Sequence, residues 1–240
     1  MPFPSGADLR PDELSAMLDA VPDDPWFSWS YIQNNADSLG AAFTEHVELT
    51  ALAMLFAAVL AIPLGVLAYR TRWLTAPILA LSGVLYTVPS LALFALLAPF
   101  MGLTATTVLV GLVMYALLII VRGTLTGLRQ VPEEVRDAAD GMGYGSFAML
   151  MRIEIPLALP SILTGLRIAA VSTVALVTVG AVLGKGGLGG LILSGFRNNL
   201  YKPQIVTATV LCVALALACD LLISWLGKLV TPWTRKAVAS

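Results

Sequence analysis

Five stretches of this chain are long and apolar enough to cross a lipid bilayer, and no other feature constrains the fold as strongly. A helix of about 20 residues spans the roughly 30 Å hydrocarbon core of a membrane. The stretches cover approximately residues 47–69, 75–100, 104–121, 160–183 and 205–229. We therefore predict an all-α membrane protein with five transmembrane helices. Pro63 and Pro89 fall inside the first two spans, where neighbouring helices can satisfy the carbonyl groups that a proline kink leaves open.

The composition supports a lipid-embedded chain and excludes several classes of function. Only 12% of the 240 residues are charged, which is about half the share in soluble domains. The formal net charge of −1 leaves no broad basic surface for nucleic acid. The single histidine, His46, has no cysteine or second histidine near it in the sequence, so we expect no metal site.

The lysines and arginines predict the orientation in the membrane. Five spans place the termini on opposite sides, and positive residues concentrate in cytoplasmic loops. An external N-terminus puts nine of the fourteen in the cytoplasm, four outside and one, Arg167, within a span. The cytoplasmic set is Arg70, Arg72, Arg122, Arg129, Arg136, Arg152, Lys228, Arg235 and Lys236. We therefore expect the N-terminus outside and the C-terminus in the cytoplasm.

This orientation divides the chain into three parts. Residues 1–45 form an acidic external segment, in which Trp26 and Trp29 suit the membrane interface and an in-plane helix is expected over residues 26–44. Residues 46–230 form the transmembrane domain, with a cytoplasmic loop over residues 123–160. Residues 231–240 form a cytoplasmic tail.

The most informative part of that loop covers residues 133–160, which are too charged to cross a membrane. Pro132 opens a helix whose first turn carries Glu133 and Glu134, where the helix dipole favours anions. Glycines at 141, 143 and 145 then break the helix. A second, amphipathic helix follows, which we expect to end at Pro156 and Pro160. Two short helices at an angle would give a rigid cytoplasmic projection on which a partner can dock, and small Ala138 and Ala139 would allow a close approach.

This segment resembles the EAA loop of the permeases of ABC importers. That family's pattern is Glu-Ala-Ala, three residues, Gly, nine residues and then Ile-x-Leu-Pro. The chain matches it at the positions Ala138, Ala139, Gly143, Ile153 and Pro156, and it has Asp137 in place of Glu and Ile155 in place of Leu. We call residues 133–160 the coupling segment, because in that family the loop forms the coupling helices that sit in a groove of the ATPase subunit.

The resemblance covers roughly residues 45–230 and implies a type I ABC importer permease in a bacterial cell membrane. It implies partners of four kinds: ATPase subunits, an external substrate-binding protein, a second permease copy or paralogue, and lipid. No catalytic residue and no cofactor is expected in this chain, with ATP and Mg²⁺ bound by the ATPase. The glycine clusters at 141–145 and 184–190 agree with this, because neither completes a nucleotide-binding motif.

Two further motifs point to one branch of these permeases. The sequences TVPSLAL at residues 87–93 and GKGGLGG at residues 184–190 resemble the osmoprotectant branch, which imports glycine betaine, choline and carnitine. The alternative is a related permease for methionine or another small polar solute. An ATP-independent channel or carrier, or a structural membrane protein, would leave the coupling segment unexplained.

Two charges fall inside predicted spans. Arg167 lies about 10 Å and Asp220 about 13 Å from the cytoplasmic end of its span, at 1.5 Å per residue. An isolated charge at such a depth is costly, so a partner is expected. We predict an Arg167–Asp220 ion pair that holds spans four and five together. The alternative is that Arg167 extends to the cytoplasmic surface while Asp220 faces a water-filled pathway.

Five residues are candidates for lining the translocation pathway in spans two and three. Aromatic rings and hydroxyl groups suit zwitterionic betaines, and the candidates are Tyr86, Thr87, Ser90, Met114 and Tyr115. The alternative role for all five is ordinary helix packing.

Overall fold

The computed structural model describes residues 25–235, and within that range the regular structure is entirely helical. The predicted acidic leader up to residue 24 and the end of the tail from residue 236 lie outside the described residues. The α-helices are α1 Trp29–Asn34, α2 Ala36–Arg70, α3 Arg72–Thr87, α4 Ser90–Met101, α5 Ala105–Arg129, α6 Glu133–Gly141, α7 Ser146–Met149, α8 Ile155–Val179, α9 Leu188–Arg197 and α10 Lys202–Val230. A π-helical turn, Leu150–Glu154, joins α7 to α8, and 3₁₀ turns occupy Gly180–Leu183 and Pro232–Arg235.

Four helical segments are individually long and apolar enough to cross a membrane, namely α2, α5, the continuous run Ser146–Leu183 and α10. The second predicted span is different, because α3 and α4 are long and apolar enough to cross a membrane only when they are taken together. The two helices meet at an angle of 96°. The expectation of a tolerated kink at Pro89 is therefore wrong. Val88 is extended (φ −64°, ψ 127°), since a residue before proline avoids the helical region. Pro63, in contrast, lies inside the unbroken α2.

The bent pair α3–α4 crosses the bundle rather than returning to the same face. Arg70, at the end of α2, contacts Glu154, and the carbonyl of Leu128, at the end of α5, accepts a hydrogen bond from Arg136. Both helices thus end at the face that carries the coupling segment, and α5 begins at the opposite face. Because α3 and α4 lead from the end of α2 to the start of α5, the bent pair counts as one broken span, which gives five candidate spans in the described residues.

Helix α5 lies at the centre of the bundle and packs along α2 and α8. In its most apolar 18-residue window 61% of residues are buried, against 17% in α10. Small residues allow this packing. Gly123 of α5 and Gly165 of α8 lie backbone to backbone, so that a Cβ at Gly123 would be 3.0 Å from the Cα of Gly165.

The N-terminal part differs from the predicted in-plane helix. Only α1, six residues long and capped by Ser28, is separate. Residues 36–44 belong to the same 35-residue helix as the first span. Gly40 is the one strong helix-weakening residue before Pro63 in this helix, and a single interior glycine costs only about 1 kcal/mol.

The helix after α7 does not end at Pro156 and Pro160 as predicted but continues to Val179. The π-helical turn explains the difference. The N–H of Ile155 donates to the carbonyl of Leu150, five residues back, and Pro156 then falls in the first turn of α8, where its missing N–H is tolerated.

Candidate functional site

The coupling segment begins with α6, which starts after Pro132 and has Glu133 and Glu134 in its first turn as predicted. Asp137 and Ala138 are exposed on α6, but Ala139 is fully buried within the chain. The expected role of Ala139 in a partner's close approach is therefore wrong, since successive residues of a helix point about 100° apart.

A Schellman turn ends α6 and fixes the angle to α7. The N–H of Tyr144 donates to the carbonyl of Ala139 over 3.1 Å, and the N–H of Gly143 donates to the carbonyl of Asp140 over 2.9 Å. Gly143 has φ +81°, the left-handed conformation that glycine adopts without a steric penalty. The glycine of the EAA pattern thus falls at the position where the backbone requires it.

An apolar surface extends over this otherwise polar segment. Phe147 is 74% exposed and Met142 69% exposed. Val135 and Met151 are also exposed, whereas Ile153 and Ile155 are half-buried. Large apolar side chains exposed at the end of a bundle, next to carboxylates, are typical of a protein–protein contact.

A buried carboxylate that the sequence analysis did not single out lies beneath this surface. The side chain of Glu154 is 2% exposed. It accepts hydrogen bonds from the Tyr69 hydroxyl over 2.7 Å and from Arg70 Nη2 over 2.9 Å. Arg136 Nε lies 3.3 Å from Glu154 Oε1, an ion pair without a hydrogen bond. We call these four residues the Glu154 cluster; its members are up to 85 residues apart, and no local sequence signal links them.

The break between α3 and α4 opens a hollow of about 420 Å³ inside the membrane region. Tyr86, Thr87, Ser90 and Tyr115, four of the five predicted pathway residues, line it together with Ser172 and Thr173 of α8. The Tyr115 hydroxyl donates to the carbonyl of Val88 at the break. The rings of Tyr86 and Tyr115 meet edge to face, with centroids 5.9 Å apart.

Tyr86 also borders a second hollow of about 370 Å³, toward the end of α5 that carries the coupling segment. Arg122, Thr126, Ser161 and Thr164 contribute its polar groups. The two hollows share Tyr86 and Ile119, so they form a continuous, partly polar stripe along α5 and α8.

Met114 does not belong with the other pathway residues. It lines a separate hollow with Phe56 and Leu60 of α2, and all of that hollow's lining residues are apolar. Met114 and Tyr115 are adjacent on α5 and point about 100° apart, so only one of them can face the break.

Arg167 and Asp220 form a bidentate ion pair. Arg167 Nε donates to Asp220 Oδ1 and Arg167 Nη2 to Oδ2, each over 2.8 Å. The side chains are 38% and 29% exposed, so the pair lies at the surface of the bundle, between α8 and α10.

The glycine-rich stretch 184–190 closes the opposite end of α8. Gly184 has φ +75° and ends the 3₁₀ turn, and Gly187 has φ +50°. A Cβ at Gly187 would lie 2.7 Å from the carbonyl oxygen of Ala42 and from the Cβ of His46. His46 is fully buried and its Nε2 lies 3.0 Å from the carbonyl oxygen of Val174, so this histidine has a packing role. Over residues 25–235, no group of three or more His, Cys, Asp or Glu side chains is placed to hold a metal ion.

Known proteins resemble this chain over most of its length. Residues 52–236 match the family described as "Binding-protein-dependent transport system inner membrane component". The osmoprotectant import permease protein OsmW of Salmonella typhimurium is 37% identical over 84% of this chain and 96% of its own length. The choline transport system permease protein OpuBD of Bacillus subtilis is 34% identical over 86% and 92%.

Solved structures with the same fold come from the MetNI methionine ABC transporter in inward-facing conformations. One of them superimposes with a TM-score of 0.72 at 21% identity, covering 85% of this chain and 100% of the other. This likeness confirms the type I ABC importer permease fold. With the sequence match over more than two thirds of the chain, it shows that the chain belongs to the family of inner membrane components of binding-protein-dependent transport systems.

Proposed function

We propose that this chain is the membrane permease of an ATP-driven importer of osmoprotectants such as glycine betaine, choline or carnitine. The observation that carries the proposal is the coupling segment, which has the residue pattern of the EAA loop and exposes Met142 and Phe147. The substrate class is supported by relatives at 34–37% identity whose names specify choline or osmoprotectants.

In the proposed complex, separate ATPase subunits bind ATP and Mg²⁺ and dock on the coupling segment. Asp137, Ala138, Gly143, Ile153, Ile155 and Pro156 define the docking turn and its connection to α8. A binding protein delivers the solute on the external side, where we place the N-terminus. The chain itself catalyses no bond chemistry.

The solute would pass along the stripe of α5 and α8 that begins at the α3–α4 break. Faces of aromatic rings attract quaternary ammonium groups, and Tyr86 and Tyr115 present such rings beside the hydroxyl groups of Ser90 and Ser172. A second permease copy would enclose the stripe, because both hollows are partly open to the surface of the bundle.

The test is uptake of labelled glycine betaine into vesicles that contain this chain with its ATPase and binding protein. We expect uptake only with ATP, and we expect competition by choline and carnitine but not by methionine. Uptake without ATP would reject the importer proposal. Competition by methionine alone would keep the permease role and reject the osmoprotectant assignment.

Gly143→Pro tests the docking turn in the same vesicles. Proline fixes φ near −65°, whereas Gly143 requires +81°, so we expect ATP-dependent uptake to be lost. Gly145→Pro is the matched control, because Gly145 has φ −71° and its N–H makes no recorded hydrogen bond within residues 25–235. Equal activity of the two variants would contradict the proposed role of the turn.

A further inference from the structure

The Glu154 cluster joins the coupling segment to two membrane spans through side chains that lie far apart in sequence. Tyr69 and Arg70 are the last two residues of α2, Arg136 lies on α6, and Glu154 ends the π-helical turn that leads into α8. We infer that this cluster transmits the displacement of α6 by the ATPase to α2 and α8. The inference rests on the proposed function, because it requires an ATPase that moves α6.

Arg136 is the side chain that connects α6 to the bundle. Of the α6 side chains, it alone is recorded in a hydrogen bond or ion pair with another element in the part of the chain that the structure describes. Its Nη2 donates to the carbonyl of Leu128 on α5 over 3.0 Å, and its Nε lies 3.3 Å from Glu154. Displacement of α6 must therefore either move Glu154 and the end of α5 or break these contacts.

Three side chains contact the Glu154 carboxylate, so Glu154 cannot move with Arg136 without disturbing its other two contacts. A carboxylate that is 2% exposed needs its partners, because a buried charge without them is costly. Tyr69 and Arg70 bind it from α2, and Arg70 also donates to the carbonyl of Ser146, the first residue of α7, over 2.9 Å. The two guanidinium groups lie 5.8 and 5.6 Å from the centre of the Tyr69 ring, which places the ring against both cations.

The π-helical turn gives the cluster its position. A π turn contains one residue more than an α-helical turn, and such turns are frequent at functional sites. Here the turn ends at Glu154, at the junction between the coupling segment and the span that lines both hollows. Motion passed through Glu154 would therefore reach α8 beside the proposed pathway.

The decisive variant is Arg136→Gln, which removes the link from α6 and leaves Glu154 paired with Arg70 and Tyr69. The reconstituted complex with ATPase and binding protein is measured for subunit assembly, ATP hydrolysis and glycine betaine uptake. We expect assembly to be retained and uptake per ATP hydrolysed to fall at least about threefold, within the range of coupling changes seen along such networks. Arg72→Gln, at an exposed arginine two residues after Arg70, is the matched control and should keep the wild-type ratio.

A merely structural role would lower assembly, ATP hydrolysis and uptake together and leave uptake per ATP hydrolysed unchanged. That result would overturn the inference. If Arg136→Gln fails to assemble, Tyr69→Phe decides the question. It removes one hydrogen bond to Glu154 and should lower the ratio about twofold; an unchanged ratio would again overturn the inference. Absence of ATP-dependent uptake by the wild-type complex would instead reject the proposed function itself.

Discussion

Single charged residues in this chain are placed at depths where each needs a specific partner. Arg167 and Asp220 are 53 residues apart in sequence, and their side chains form two 2.8 Å hydrogen bonds. Counting residues from the predicted cytoplasmic span ends put the two charges at similar depths, because helical rise is constant, but it left open whether they meet. The same counting could not find the Glu154 cluster. Tyr69, Arg70 and Arg136 lie at span ends or in a loop, where charges and aromatic rings are expected in any membrane protein.

The Arg167–Asp220 pair is expected to stabilise the contact between α8 and α10. Arg167→Gln or Asp220→Asn alone leaves one unpaired charge in the membrane, whereas the double variant leaves none. We expect each single variant to lower the yield of folded permease at least about threefold and the double variant to recover most of it. The yield is measured by size-exclusion chromatography of detergent extracts. A double variant no better than the singles would show that the pair does not hold the helices together.

At the scale of elements, hydropathy predicts where helices cross but not how they bend. The spans of α2, α5 and α10 follow from apolar runs longer than 18 residues. The break at Val88–Pro89 was expected only as a kink, as was Pro63, which lies inside the unbroken α2. The two prolines differ in the side chains that pack beside them. Tyr115 of α5 supplies a hydroxyl to the Val88 carbonyl that the break leaves without a helical partner, and such a contact between distant residues cannot be predicted from hydropathy.

Tyr115→Phe tests whether this hydroxyl stabilises the broken span. Leaving a part-buried carbonyl unsatisfied costs about 1–3 kcal/mol, which corresponds to a decrease of roughly 2–12 °C in the apparent Tm of a protein of this size. Thermal unfolding of the purified permease is the measurement. Tyr86→Phe is the matched control, because no hydrogen bond is recorded for the Tyr86 hydroxyl within residues 25–235. Equal Tm values for the two variants would contradict the role of Tyr115.

For the whole molecule, the internal contacts agree with the topology that was predicted from the apolar runs and the distribution of positive charge. The contacts of Arg70 and Arg136 place the ends of α2 and α5 at one face, an arrangement that agrees with the prediction of five crossings and of termini on opposite sides. The positive-inside rule predicts that this face is the cytoplasmic one. If α3–α4 were instead a re-entrant loop that begins and ends at the same face, Arg70 and Glu154 would lie on opposite sides of the membrane.

Cysteine labelling in right-side-out vesicles tests this topology directly. In a background in which Cys212 and Cys219 are replaced by alanine, single cysteines are introduced at the exposed positions Gln33, Asp140 and Asn198. We expect a membrane-impermeant maleimide to label Gln33→Cys and Asn198→Cys at once, and Asp140→Cys only after permeabilisation. Labelling of Gln33→Cys only after permeabilisation would mean an odd number of crossings between residue 33 and the external loop after α9. In that case α3–α4 would not cross, and the arrangement of α2 beside the coupling segment would have to be wrong, because five crossings and the Arg70–Glu154 contact require each other.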